Sequence, residues 1–125
     1  MKLASVRIVT DDVLELAAFY SAITGIVPKG DMSYSELRTS SCTLAIAQVG
    51  VVEKLHPGHL AASANRTAIL EFEVDDVDVL RSKLSGLVSE WVQEPMTMPW
   101  GNRSMLFRDP DGNMINFFTS PKSLK

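Results

Sequence analysis

The chain has 125 residues, 46% hydrophobic and 22% charged, so it is long enough to bury a core without disulfides or a structural metal. Twelve basic residues stand against fifteen acidic ones, for a net charge of -3 with no Lys/Arg block, which argues against DNA or RNA as a partner. Arg7 interrupts the apolar N-terminal stretch, and no run approaches the roughly 18 apolar residues of a membrane span. We therefore expect no signal peptide, no membrane anchor and, with Cys42 as the single cysteine, a cytoplasmic protein.

Along the chain, Ala4, Val6 and Ile8 alternate with Ser5, Arg7 and Val9 before Asp11-Asp12, which predicts a strand running into a helix N-terminus. Val13, Leu16, Ala17, Tyr20 and Ile23 recur at helical spacing, and Gly25 can close the helix in a left-handed cap. Strands are then predicted near Ile26, at Tyr34 to Arg38 and at Thr43 to Gln48, followed by a loop or linker from Val51 to Arg66 that holds His56-Pro57-Gly58-His59. The opening pattern returns as Glu71-Phe72-Glu73-Val74-Asp75-Asp76-Val77, 64 residues after Arg7-Ile8-Val9-Thr10-Asp11-Asp12-Val13, so two copies of one unit are expected. In the second copy Leu70, Phe72 and Val74 alternate with Ile69, Glu71 and Glu73, Val77, Leu80 and Leu84 mark a helix ending near Gly86, and strands follow at Trp91 to Glu94, Arg103 to Arg108 and Met114 to Thr119. Asp109-Pro110-Asp111-Gly112 supplies the turn of a hairpin between the last two.

Period two also sorts the faces. Val6, Leu70 and Ile115 should pack under the helices, whereas Ser5 with Arg7, Ile69 with Glu71, and Met114 with Asn116 and Phe118 should share the opposite faces. Glu71 and Glu73 there are candidates for a general base or for holding a cationic group, or belong simply to an exposed strand face or to a pair with Arg7 or Arg103. Arg7 could take a carboxylate or phosphate, or neutralise a glutamate. Trp100, between Pro99 and Gly101, could stack on a ring at a pocket rim, or serve in buried packing or a dimer contact; Met96, Met98 and Met105 add adaptable apolar surface. His56 and His59 could form a pocket-rim pair for a ligand or a metal but, lacking a nearby carboxylate, read as solvated loop residues, and Cys42 lacks the cationic neighbour that would activate a thiol.

Thr10-Asp11-Asp12-Val13 with Ala18-Phe19-Tyr20, Phe72 to Val77, and Pro99-Trp100-Gly101 before Phe107 to Asn113 occur in an order and spacing that resembles the glyoxalase/bleomycin-resistance/dioxygenase (vicinal oxygen chelate) superfamily. The resemblance covers nearly the whole chain and implies an α+β fold: two βαβββ modules whose curved mixed sheets surround a cup-shaped cavity. It implies one domain over 1–125, with module one at about 1–55, a linker at about 51–66 and module two at about 67–120. The family's enzymes hold a divalent metal with His and Glu side chains at positions that correspond here to Ser5, Ala45, Ile69 and Asn116. A hydroxyl, a methyl, an isoleucine and a neutral amide do not make such a site, so no metal and no cofactor are expected.

The expected function is binding of a small organic ligand by Ser5, Arg7, Ile69, Glu71, Trp100, Asn102, Arg103, Met114, Asn116 and Phe118, in a homodimer with cavities near or across the subunit interface, as the resemblance implies. The alternative is a cofactor-free lyase, isomerase or hydrolase in which Glu71 or Glu73 is the base.

Overall fold

The computed structural model describes residues 1–123. The chain divides into two compact units, Met1–Ala64 and a second that begins at Asn65. The first runs β1 (Ser5–Thr10), α1 (Val13–Thr24), β2 (Lys29–Gly30), β3 (Tyr34–Arg38), β4 (Thr43–Gln48) and α2 (Val49–Leu55). The second runs β5 (Ile69–Glu73), α3 (Val77–Lys83), β6 (Glu90–Thr97), β7 (Arg103–Arg108) and β8 (Met114–Thr119), and ends in a 3-10 turn at Pro121–Ser123. Each is a βαβββ unit with one four-stranded mixed sheet, ordered β1-β4-β3-β2 and β5-β8-β7-β6. Both sheets are open, and the α+β class expected from the alternating patterns holds.

In each sheet the strand before the helix pairs in parallel with the last strand of its unit, Arg7 opposite Ala45 and Glu71 opposite Asn116. The remaining pairings are antiparallel. Asp12 and Asp76, the second of each Asp pair, are the helix caps: their carboxylates accept from the Glu15 and Val79 amides, both at 3.1 Å, satisfying donors that a helix start leaves free. Gly25 closes α1 at φ 75°, a conformation that costs other residues a steric clash. Helix α3 closes instead on Leu84 in a right-handed conformation, ahead of Gly86.

Helix α1 buries Val13, Leu16, Ala17, Tyr20 and Ile23, and Leu37, Leu44 and Ile46 of the sheet are buried with them. In the second unit Val77, Leu84, Val88, Met105, Phe107, Ile115 and Phe117 are buried, while Leu80 is half-buried. Phe117 lies edge-on to Phe72 and Phe107, at centroid separations of 5.5 and 5.2 Å, and Trp91 stands 5.4 Å from Phe107, an offset geometry that suits aromatic quadrupoles. Trp91 is thus a packing residue, with the Arg81 guanidinium 3.7 Å from its ring centre.

Several local expectations are corrected. The segment expected as a loop from Val51 opens as helix α2, because the Gln48 side chain accepts from the Val51 amide at 3.1 Å and Val52 finds a buried position. The strand expected near Ile26 forms later, at Lys29–Gly30. Strand β6 extends to Thr97, with register shifts between Trp91 and Gln93 and between Gln93 and Met96; the shifts let Pro95 sit in an edge strand. Val6 is 37% exposed rather than packed away, whereas Ile115 is fully buried.

The β7–β8 hairpin is pinned by Asp109. Its Oδ1 accepts from the Asp111 and Asn113 amides, each at 2.9 Å, and its Oδ2 accepts from Asn113 Nδ2 at 2.7 Å. Asn65 Nδ2 donates to Asn113 Oδ1 at 3.1 Å while Asn65 Oδ1 accepts from Thr67 and Ala68 amides. The start of the second unit is thereby tied to the turn before β8.

Two outcomes follow from this packing. Phe117→Ala should destabilise the protein by about 3 to 5 kcal/mol in a urea titration, because it removes two ring contacts and opens a core cavity; a loss under about 1 kcal/mol would show that the aromatic cluster does not organise the unit. Arg103 donates to both Asp78 oxygens at 3.0 and 3.1 Å, joining β7 to α3; the hydrogen bond holds the Asp78 carboxyl below its usual value. A lowered folded pKa stabilises above the unfolded value and ceases to do so as pH falls through the folded one. Asp78→Asn should therefore lower stability at pH 7 by less than about 1 kcal/mol, as for an exposed pair, with the difference vanishing in acid. A difference that is unchanged at acid pH would assign the effect to packing.

Candidate functional site

Helices cover one face of each sheet, and the candidate residues divide according to the other. In the second unit, register places Ile69 beside Met114, Glu71 beside Asn116, and Glu73 beside Phe118; continuing across the sheet, Asn116 is beside Leu106 and Phe118 beside Ser104. These side chains share the face turned away from Ile115 and Phe117, as alternation requires. A hydrogen-bonded row runs over it. Ser104 Oγ donates to Asn116 Oδ1 at 2.6 Å, and Asn116 Nδ2 donates to Glu71 Oε2 at 2.8 Å. Gln93 Nε2 donates to the Ser104 carbonyl at 3.1 Å. Asn116 is thereby oriented from both ends, presenting the Glu71 carboxylate at the exposed end of the row.

Around this row the surface is apolar: Met114, Phe118 and Leu106 are half-buried, and Ile69 and Met96 are about half exposed, at 52% and 49%. Glu73 is exposed and, among the described residues, makes no hydrogen bond or ion pair. Trp100 lies 70% exposed in the β6–β7 turn, where the Met98 amide donates to the Asn102 carbonyl at 2.7 Å and the Gly101 amide to the Met98 carbonyl at 2.9 Å. Arg103 stands apart from this face. Its cross-strand partner is Thr119, which shares the helix side with Ile115 and Phe117, and its guanidinium is engaged by Asp78.

In the first unit, Ser5 and Arg7 occupy the face turned away from α1, together with Thr43, Ala45 and Ala47. Sequence reasoning missed the rest of that face. Tyr34, Glu36 and Arg38 join it by register, and the alternation Tyr34-Ser35-Glu36-Leu37-Arg38, with Ser35 and Leu37 buried, was the signal that could have found them. Tyr34 Oη donates to Glu36 Oε2 at 3.0 Å, and Arg38 donates from Nε and Nη2 to Glu36 Oε1 at 3.2 and 3.0 Å. Partial burial and then the bond to Glu36 push the Tyr34 phenol up, while the bonds from Tyr34 and then Arg38 hold the Glu36 carboxyl down. The pair is therefore a neutral phenol donating to a carboxylate. The first unit also has a cavity of about 410 Å³ beyond the ends of β1 and β4, lined by Asp11, Leu14, Met32, Gln48 and Val51 among others; none of the candidate ligand-binding residues lines it.

The residues do not fit a divalent metal. At the four positions where the resemblance implies ligands stand Ser5, Ala45, Ile69 and Asn116, and the Asn116 amide is already committed to Ser104 and Glu71. Among the described residues no three His, Cys, Asp or Glu side chains gather closely enough to hold a metal ion. His56, which caps α2, and His59 are both exposed, and Cys42 is half-buried with its thiol donating to the Thr43 carbonyl at 3.7 Å. Among the described residues no helix is long and apolar enough to cross a membrane.

Comparison with known proteins agrees with this architecture. A glyoxalase/bleomycin resistance protein/dioxygenase family enzyme from Burkholderia phytofirmans is similar at TM-score 0.85 and 18% identity, over 95% of this chain and 98% of that one. A glyoxalase-related enzyme from Fulvimarina pelagi is similar at TM-score 0.83 and 19% identity, over 97% and 89%. A protein of unknown function from Agrobacterium tumefaciens is similar at TM-score 0.80 and 24% identity, over 96% and 94%. At these identities the likeness shows the fold alone. No curated protein matches the chain. The family profile matches residues 2–117, and with that span the chain belongs to the Glyoxalase/Bleomycin resistance protein/Dioxygenase superfamily.

Proposed function

We propose that this protein binds a small organic ligand without a metal, against the sheet faces left uncovered by the helices. The observation that carries the reading is the row Ser104–Asn116–Glu71, polar and pre-oriented, set among Ile69, Met114, Leu106 and Phe118. Apolar surface supplies affinity through burial, and a few fixed polar groups set orientation. The proposed contacts are Ser5 and Arg7 on the first unit's face and Ile69, Glu71, Met114, Asn116 and Phe118 on the second's, with Trp100 and Asn102 toward the rim of the latter; Arg103, held by Asp78, serves the fold instead. We further propose a cytoplasmic homodimer that uses neither metal nor cofactor. The donor set supports the absence of a metal, the lone cysteine fits a reducing compartment, and the family resemblance supports the dimer.

A second reading, a cofactor-free lyase, isomerase or hydrolase, is favoured by one observation. Glu73 stands beside Phe118 with no hydrogen bond or ion pair among the described residues, which leaves its carboxylate free to accept a proton from a bound substrate. Consumption of a bound compound by the wild type, abolished in Glu73→Gln or Glu71→Gln, would establish this reading over simple binding.

The test is a thermal-shift screen of an organic library on the full chain, since a ligand of the folded state raises the melting temperature by mass action. For an aromatic hit, Trp100→Ala should cost about 1 to 3 kcal/mol of affinity through lost stacking and burial. For a cationic hit, Glu71→Gln should weaken binding in the same direction. Unchanged affinity in both variants, with intact melting, would place the ligand elsewhere.

A further inference from the structure

Four of the six arginines of this chain are neutralised. Arg38, Arg81, Arg103 and Arg108 are paired with Glu36, Glu94, Asp78 and Glu90 at 2.7 to 3.1 Å. Arg7 and Arg66 are the two arginines that, among the described residues, hold no ion pair or hydrogen bond, and only Arg7 lies in a strand, on the sheet face turned away from α1.

The nearest carboxylate in its row is already occupied. Register runs Arg7, Ala45, Glu36 and Lys29 across the four strands, so Arg7 and Glu36 are two strand spacings apart, about 10 Å between backbones. Both Glu36 oxygens are engaged, one by the Tyr34 hydroxyl and one by the Arg38 fork. Between Arg7 and Glu36 stands only the methyl group of Ala45, and Ala47 holds the same place between Val9 and Tyr34, so neither residue offers a charge to pair with Arg7. This face therefore carries Arg7, Arg38 and Lys29 against Glu36 alone, with the Tyr34 ring at its margin, 39% exposed.

We infer that the uncovered face of the first unit takes the oxyanion of the ligand, a carboxylate or a phosphoryl group, on the Arg7 guanidinium, with the Tyr34 ring alongside the ligand's body. The inference rests on the proposed binding function and adds to it the charge of the ligand. A guanidinium presents two parallel N–H donors that match either oxyanion. Arg7 needs no prior ion pair broken to make those bonds. Its counterpart in the second unit, 64 residues on, is Glu71, so the preference for an anion belongs to the first unit alone.

Benzoate and phenyl phosphate, with benzamide as neutral isostere and benzylammonium as cation, test the inference on the full chain by amide chemical-shift titration. Both anions should move signals of β1, β3 and β4 and bind at least about tenfold tighter than benzamide; whichever anion is tighter assigns carboxylate or phosphoryl as the natural group. Arg7→Gln should lose about tenfold for the anions and nothing for benzamide, whereas Arg66→Gln should leave both unchanged. Glu36→Gln removes the opposing charge and frees Arg38, so it should strengthen anion binding; that opposite sign cannot come from misfolding. Equal affinity for benzoate and benzamide, or an Arg7→Gln variant that melts normally and binds benzoate as before, overturns the inference. If benzamide or benzylammonium binds the uncovered faces while the anions show no preference, the binding function stands and only the ligand's charge is wrong. If none of the four moves a signal on either uncovered face at millimolar concentration, this inference falls and the function it rests on loses its support.

Discussion

The structure depends on a connection. In each unit the first strand is followed at once by a helix, and it must then join the sheet in parallel with the strand that comes last, β1 with β4 and β5 with β8. A parallel partner cannot be reached by a hairpin, so the intervening helix and the two middle strands form the crossover. The helix has one apolar stripe and covers one face. The other face has nothing in its own unit's α1 or α3 to cover it, and on that face each sheet carries its chemically diverse side chains.

The two units use this shared scaffold with different chemistry. At equivalent positions of the repeat stand Arg7 and Glu71, and each faces a residue of the last strand, Ala45 in one and Asn116 in the other. The methyl group leaves Arg7 without a partner across the strand, whereas the amide reaches Glu71 at 2.8 Å and is itself held by Ser104. One strand further along the same row, Glu36 in the first unit is tied by Tyr34 and Arg38, where the second unit has the apolar Leu106. Fold and site are therefore separable here: the covered faces of both units are built mainly of apolar packing residues, and the opposite faces differ in charge and polarity between the two units.

Hydrogen bonding also decides where the second unit begins. Asn65 sits where the sequence offers only a run of small and polar residues, yet its side chain engages the Thr67 and Ala68 amides and reaches Asn113, which Asp109 holds in turn. Asp109 is buried and accepts three bonds from Asp111 and Asn113. A buried carboxylate with three donors is stabilised by them and would be costly without them.

The sequence by itself determined the elements whose signals are local. The Asp-Asp pairs marked both helix starts, helical spacing marked the buried stripe from Val13 to Ile23, Gly25 marked the end of α1, and Asp109 to Gly112 marked the last turn, because capping, periodicity and turn chemistry each act within a few residues. The 64-residue repeat made the two units legible, and alternation placed Glu71, Asn116 and Phe118 on one face. What only the tertiary structure decided were the contacts between residues far apart in the chain. Helix α2 was hidden because Val49 to Leu55 is rich in valine with Gly50, a composition that favours other states until the Gln48 cap and a buried site for Val52 are present. Arg103 looked like a ligand contact until Asp78, on α3, took its guanidinium, and Arg7 looked like a partner for a glutamate until register set an alanine beside it. Pairing across a sheet depends on register, and register follows from all the strands folding together rather than from any one segment.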